Sequence, residues 1–112
     1  MRVIDITEEC LDFIDSQNER VSLKFFQLVE VISEIKQVHS NFIKKLQSTH
    51  FYELRIKAGN EYRIIIFAID HLSFSESSKV VCLYGFQKKS TKDYNKAIKI
   101  SERILEEYLK EN

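Results

Sequence analysis

Two arginines, Arg55 and Arg63, flank the polar break Ala58-Gly59-Asn60, and the pairing of the runs on either side decides whether their guanidinium groups share a surface. In Phe51 to Ala58, Tyr52, Leu54 and Ile56 alternate with Glu53, Arg55 and Lys57, the period of a strand with one buried face. Glu61 to Asp70 is dense in β-branched and aromatic residues, so the two runs read as a hairpin. A three-residue loop sets Lys57 against Glu61 and Arg55 against Arg63, and gathers Leu54, Ile56, Tyr62 and Ile64 on the opposite face; a two-residue loop sends the arginines to opposite faces. The three-residue register is preferred because it collects those four apolar side chains. Like charges directly opposite one another cost some tenths of a kcal/mol to about 1 kcal/mol, so a chain that keeps such a pair can use it to hold an anion. The alternative is ordinary surface pairing of both arginines with Glu53 and Glu61.

A second group of cations lies in Tyr84 to Tyr94, where a predicted strand ends and a predicted helix begins. Lys88, Lys89 and Lys92 supply phosphate-binding charge, and Tyr84 and Tyr94 supply rings on which a base can stack. The bland reading makes Tyr94 the first core residue of the helix and leaves the lysines solvated. Residues 79 to 99 hold six basic side chains and one acidic, whereas residues 1 to 40 hold four and eight. The formal net charge is zero, and a neutral chain can still bind a polyanion where its positive charge is concentrated.

Other chemistries find little support. His39, His50 and His71 show no HxxxH or HExxH spacing, so no metal is expected. Two glycines cannot build a glycine-rich phosphate loop, and no cofactor is expected. Cys10 and Cys82, far apart in the chain, read as buried apolar residues. The acids cluster on helices at solvent-like positions, which argues against a carboxylate pair of the glycosidase kind. The longest apolar run, Ile64 to Ile69, is six residues, too short to span a bilayer, and the N-terminus lacks the apolar region of a signal peptide; a cytoplasmic location is expected.

The elements that must position these groups are legible at coarse grain. Arg2 to Ile6 reads as a short strand, Thr7 as the N-cap of a helix over Glu8 to Asp15, and Ser16 with Glu19 as the capping box of a second helix running to about Val38. On that helix Val21, Phe25, Leu28, Val29, Ile32 and Ile35 form one apolar stripe. After the hairpin, His71 to Ser78 is a polar loop and Lys79 to Phe86 a further strand. A last helix opens near Asp93, with Tyr94, Ala97, Ile98, Ser101, Ile104, Leu105 and Tyr108 on one side. The order is strand, two helices, three strands, helix, in a single α+β domain over residues 1–112 whose main sheet is an antiparallel meander.

Phe42-Ile43-Lys44-Lys45-Leu46, Tyr52-Glu53-Leu54-Arg55, Tyr62-Arg63-Ile64 and Gly85-Phe86-Gln87-Lys88-Lys89-Ser90-Thr91-Lys92 follow one another in the order and spacing of the RelE/HigB toxins of bacterial type II toxin-antitoxin systems, and the chain resembles that family from about residue 42 to residue 108. The resemblance implies a microbial-ribonuclease-like α+β fold with two N-terminal helices on an antiparallel sheet. It also implies metal-independent cleavage of messenger RNA on the translating ribosome, and silencing by a cognate helix-turn-helix antitoxin, the chain being a monomer or part of a toxin-antitoxin complex. By motif it places Arg55, Arg63, Lys88 and Tyr94 at catalytic positions, with Lys57 and Lys89 nearby; Lys57 and Lys89, with Lys92 and Tyr84 of the basic segment, are expected to contact RNA. The expected chemistry is attack of a ribose 2′-hydroxyl on the adjacent phosphate, with fixed cations stabilising the growing charge; Lys57 or Lys88 serves as base only if neighbouring cations lower its pKa from about 10.4. The alternatives are a ParE-like inhibitor of DNA gyrase on a similar scaffold, and a catalytically degenerate antitoxin-binding module.

Overall fold

A computed structural model describes residues 1–38 and 40–111, so His39 lies outside the described residues. The chain runs β1 (Val3–Ile6), α1 (Glu8–Asp15), α2 (Glu19–Glu34), β2 (Ile43–Lys45), β3 (Phe51–Ala58), β4 (Asn60–Ala68), β5 (Lys79–Gln87) and α3 (Lys92–Glu111). Among the described residues the strands form one sheet in the order β1-β5-β4-β3-β2. Every neighbouring pair is antiparallel except β1 with β5, so the sheet is mixed, an antiparallel meander extended by one parallel edge strand. The α+β reading holds.

Local chemistry explains both the agreements and the corrections. Thr7 caps α1 as expected, its side chain accepting from the Cys10 N–H. The capping box at Ser16 is not used: Asn18 takes that place, accepting from the Val21 N–H, while Ser16 closes α1 by donating to the Phe13 carbonyl. α2 ends at Glu34 rather than Val38, and Ile35, expected in the apolar stripe, is 49 % exposed beyond the turn. The buried Arg2 side chain caps this end, donating to the Ile35 carbonyl at 3.0 Å and the Lys36 carbonyl at 2.8 Å. β2, which was not expected, is too short for a sequence period to register. α3 opens one residue before Asp93, which accepts from the Lys89 and Ser90 N–H groups at 2.7 and 2.8 Å and so fixes the preceding turn.

The sheet has a core on each face. On one, Leu54, Ile56, Tyr62, Ile64 and Ile66 meet Ile14, Val21, Phe25 and Ile32 from α1 and α2. On the other, Phe51, Ile65, Val81, Leu83 and Phe86 meet Ala97 and Ile104 of α3. Each fully buried side chain of this kind contributes about 1.5–3 kcal/mol, so the three helices are held chiefly by their apolar stripes. Both cysteines are buried and unpaired, as the sequence suggested. No helix among the described residues is long and apolar enough to cross a membrane.

Each glycine answers a separate need. Gly59, with φ of 82°, is the only residue between the paired ends Ala58 and Asn60, and a left-handed conformation there suits a residue without a Cβ. Gly85 sits opposite Ile64 where α1 presses on β5: an added Cβ would lie 2.4 Å from Phe13 Cδ2 and 2.8 Å from Ile64 Cδ1. Gly85→Ala is therefore expected to overpack this contact and cost about 1–3 kcal/mol. Urea unfolding should show a lower midpoint with an unchanged slope; an unchanged midpoint would mean that Phe13 moves aside freely.

Candidate active site

The hairpin register is the one that unites the arginines: Arg55 pairs with Arg63, Lys57 with Glu61 and Ala58 with Asn60. Both guanidinium groups lie on the face that α3 covers. Arg63 is 3 % exposed and all three of its nitrogens are engaged. Nε donates to the Tyr94 hydroxyl at 3.0 Å, Nη1 to its neighbour's carbonyl at Tyr62 at 3.0 Å, and Nη2 to Glu61 Oε1 at 2.9 Å. Arg55 is more open, its side chain 35 % exposed, and its Nε donates to Glu53 Oε1 at 2.9 Å.

Glu53 is the residue that the sequence reading left among the surface acids, and its position corrects that expectation. It is 2 % exposed, with Oε1 on Arg55 and Oε2 3.7 Å from Arg63 Nε. Oε2 has no hydrogen-bond partner among the described residues. The arginines are thus paired with Glu53 and Glu61, as the alternative reading held, but only Glu61 forms its pair at the surface. A signal for Glu53 existed: it shares a strand face with Arg55, and the α3 stripe had to pack somewhere on that face.

The electrostatics follow from this arrangement. Burial opposes the charge of Arg63, yet the hydrogen bonds it donates to Glu61 and Tyr94 and the nearby charge of Glu53 outweigh it and raise its pKa. The same hydrogen bond to Arg63 holds the Glu61 carboxyl below the usual range, with Lys88 and Lys57 adding smaller attractions. Tyr94 is pushed up, first by burial and then by the Glu53 carboxylate beside its hydroxyl, while Arg63 pulls the other way. Its ring meets Phe86 edge-to-face, with centroids 5.3 Å apart at 83°, and Phe86 in turn pairs with Arg63 across the strands.

The structure therefore brings together Arg55, Arg63 and Tyr94, adding Glu53, Glu61 and Phe86, which sequence reasoning did not assign to the site. Lys57 and Lys88 stand exposed at its margin, close enough to act on Glu61, and the Lys88 N–H donates to the Glu61 carbonyl at 2.8 Å. Lys89 and Lys92 are exposed where the chain turns into α3, and Asp93 faces Lys89. Tyr84 is half-buried and packs into the α3-side core. His50 and His71 line a separate cavity with Phe67 and Leu105.

The single mixed sheet, with α1 and α2 on one face and α3 on the other, has the fold of the RelE toxin. Similar solved structures include the intact Escherichia coli RelBE toxin-antitoxin complex (TM-score 0.60, 16 % identity, 80 % of this chain and 100 % of that one). The isolated E. coli RelE toxin gives a TM-score of 0.60 at 17 % identity, over 88 % of this chain and 97 % of that one. A free RelE mutant with two arginines replaced by alanine gives 0.58 at 19 %, over 88 % and 95 %. Residues 12–106 match the family described as phage derived protein Gp49-like (DUF891), and the chain belongs to that family. No curated protein matches the chain. The resemblance read from the sequence is borne out by these matches.

Two predictions follow from the geometry. Glu53→Gln keeps the shape but removes the charge that Arg55 and Arg63 share, and should cost about 1.5–3 kcal/mol of stability; a variant as stable as the parent would show that Glu61 alone suffices. Near-ultraviolet absorbance should find two phenols titrating above the ordinary value of about 10, Tyr108 beside Asp5 and Tyr94, and Tyr94→Phe should remove one of them, because burial and Glu53 both disfavour the Tyr94 phenolate. A midpoint for Tyr94 at or below that value would contradict the arrangement.

Proposed function

We propose that the protein is the toxin of a toxin-antitoxin pair and inhibits translation as a ribosome-dependent messenger RNA endoribonuclease without a metal. The observation that carries this reading is the state of the two arginines. Arg63 is locked by Tyr94, Tyr62 and Glu61, whereas, among the described residues, the more exposed Arg55 is held only through its Nε by Glu53, leaving the rest of its guanidinium to meet a phosphate.

In this mechanism the ribose 2′-oxygen attacks the adjacent phosphorus, the 5′-oxygen of the next nucleotide leaves, and the products are a cyclic phosphate and a 5′-hydroxyl. Arg55 binds a non-bridging phosphoryl oxygen, and Arg63 with Lys57 and Lys88 supplies the field that stabilises the negative charge growing there. Glu53 Oε2, unpartnered at 3.7 Å from Arg63 Nε, accepts the 2′-hydroxyl proton once Arg55 turns toward the phosphate. The Tyr94 hydroxyl, disposed to stay protonated, donates to the leaving oxygen. Orienting the 2′-oxygen in line with the leaving group falls to the ribosome, whose contribution is the proximity that this small site lacks. The likeness to a toxin solved with its antitoxin supports a protein partner that silences the chain.

Induced expression in bacteria, with mapping of transcript 5′ ends, tests this. The parent protein should arrest growth and leave new ends within translated regions. Arg55→Ala should lower cleavage by about 100-fold or more, as expected on loss of a group that stabilises transition-state charge, with the fold intact by circular dichroism. Arrest that persists in Arg55→Ala without new transcript ends, together with blocked DNA supercoiling, would instead support the gyrase-directed alternative.

A further inference from the structure

β2 pairs with β3 only from Tyr52 to Leu54, so on this side the end of β3 from Arg55 to Ala58 has no strand partner among the described residues. Beyond that point the chain entering β2 crosses close by, Phe42 accepting from the Arg55 N–H at 2.8 Å. Lys24 of α2 reaches across and donates to the Lys57 carbonyl, which blunts the edge against strand addition. Between α2 and this edge lies a groove of about 510 Å³, within the roughly 300–1,000 Å³ typical of small-ligand sites. Arg55 and Arg63 themselves are among the residues that line it.

The character of the groove matches one part of a nucleic acid. Its floor is apolar, from Leu28 and Val31, and Phe42 stands beside it 41 % exposed, a large ring that the core does not use. Gln27 offers an amide that both donates and accepts, the complement of a base edge, and Lys24 and Lys57 bring positive charge to the rim. Rings interleaved with cations along a track are how single strands are held, by stacking and by backbone charge. A phosphate seated on Arg55 has its neighbouring nucleotide at the mouth of this groove. We propose that the groove between α2 and this end of β3 is a nucleobase subsite, in which the base next to the bound phosphate packs on Phe42 and is read by the Gln27 amide.

This inference rests on the function proposed above for its choice of ligand, and its test does not depend on cleavage. Isotopically labelled protein is titrated with 2′-O-methyl trinucleotides that differ in one base and cannot be cut, and the Gln27 side-chain amide and Phe42 ring signals are followed by NMR. Both should shift saturably, and one base should bind at least about fivefold more tightly than the others. Gln27→Ala, at an exposed helix position, should abolish that preference while leaving the weaker binders unchanged, and Phe42→Ala should weaken every trinucleotide by about fivefold or more. Equal affinity for all four bases, or shifts confined to Lys88–Lys92, would overturn the subsite. So would signals that respond only to an antitoxin, which would make the groove a protein interface. Trinucleotides that bind here while transcripts remain uncut would remove the proposed activity and leave the subsite standing, and cut transcripts with an unmoved groove would do the reverse.

Discussion

Two guanidinium groups held side by side on one sheet face repel each other, and this fold keeps them there by burying a single carboxylate between them. Glu53 meets Arg55 through one oxygen and lies 3.7 Å from Arg63 through the other. Burying a carboxylate costs several kcal/mol, so the arrangement is poor value as a source of stability; its physical sense is to fix the direction of two cations. Removing Glu53 from the cluster would leave Arg63 4 % exposed at its side chain with only Glu61, itself half in solvent, to balance it. Every other part of the site is arranged around that constraint.

Three elements meet to impose it. The Gly59 turn sets the register that brings the arginines opposite each other, and the helices of the first layer take up the apolar face of the same hairpin so that its charged face is turned toward α3. β5 then carries Phe86 alongside Arg63, and α3 adds Tyr94, whose position depends on Asp93 fixing the turn before it. The charged cluster lies at the margin of the α3-side core, where the apolar packing of Ala97 and Ile104 gives way to exposed side chains. There Arg63 is shut in and Arg55 is not, although the two occupy equivalent places in a symmetric pairing. α3 breaks the symmetry.

The hairpin and its register were legible in the sequence because only one pairing collects Leu54, Ile56, Tyr62 and Ile64, and a slip of one residue would expose them all. The α3 stripe was legible for the same reason. Glu53 was not, since alternation marks a polar residue as facing away from one core and says nothing about a second core on the other side. The start of α2 was misplaced because Ser16 and Asn18 are both competent caps two residues apart, and the choice falls to which one the preceding turn presents to the free N–H groups. Segment charge picked out Lys88 to Lys92 as a basic stretch. It could not show that Asp93 faces part of it, or that the arginines of a less basic segment form the enclosed cluster.

Formal neutrality gains a specific meaning from this geometry. Under the proposed function, a phosphate approaching Arg55 does not meet a bare positive patch; it meets a guanidinium already held by a carboxylate, so binding exchanges one anion for another around the same cation. Such an exchange recovers less Coulombic energy than neutralising a free charge, and it favours a ligand that is delivered and oriented by something else over one captured from solution. In that mechanism it also frees Glu53 Oε1 as the phosphate arrives, beside the Oε2 that has no hydrogen-bond partner among the described residues. In the proposed mechanism the step that seats the phosphate also uncovers the carboxylate that takes the proton, so anion binding and proton transfer are coupled through one arginine.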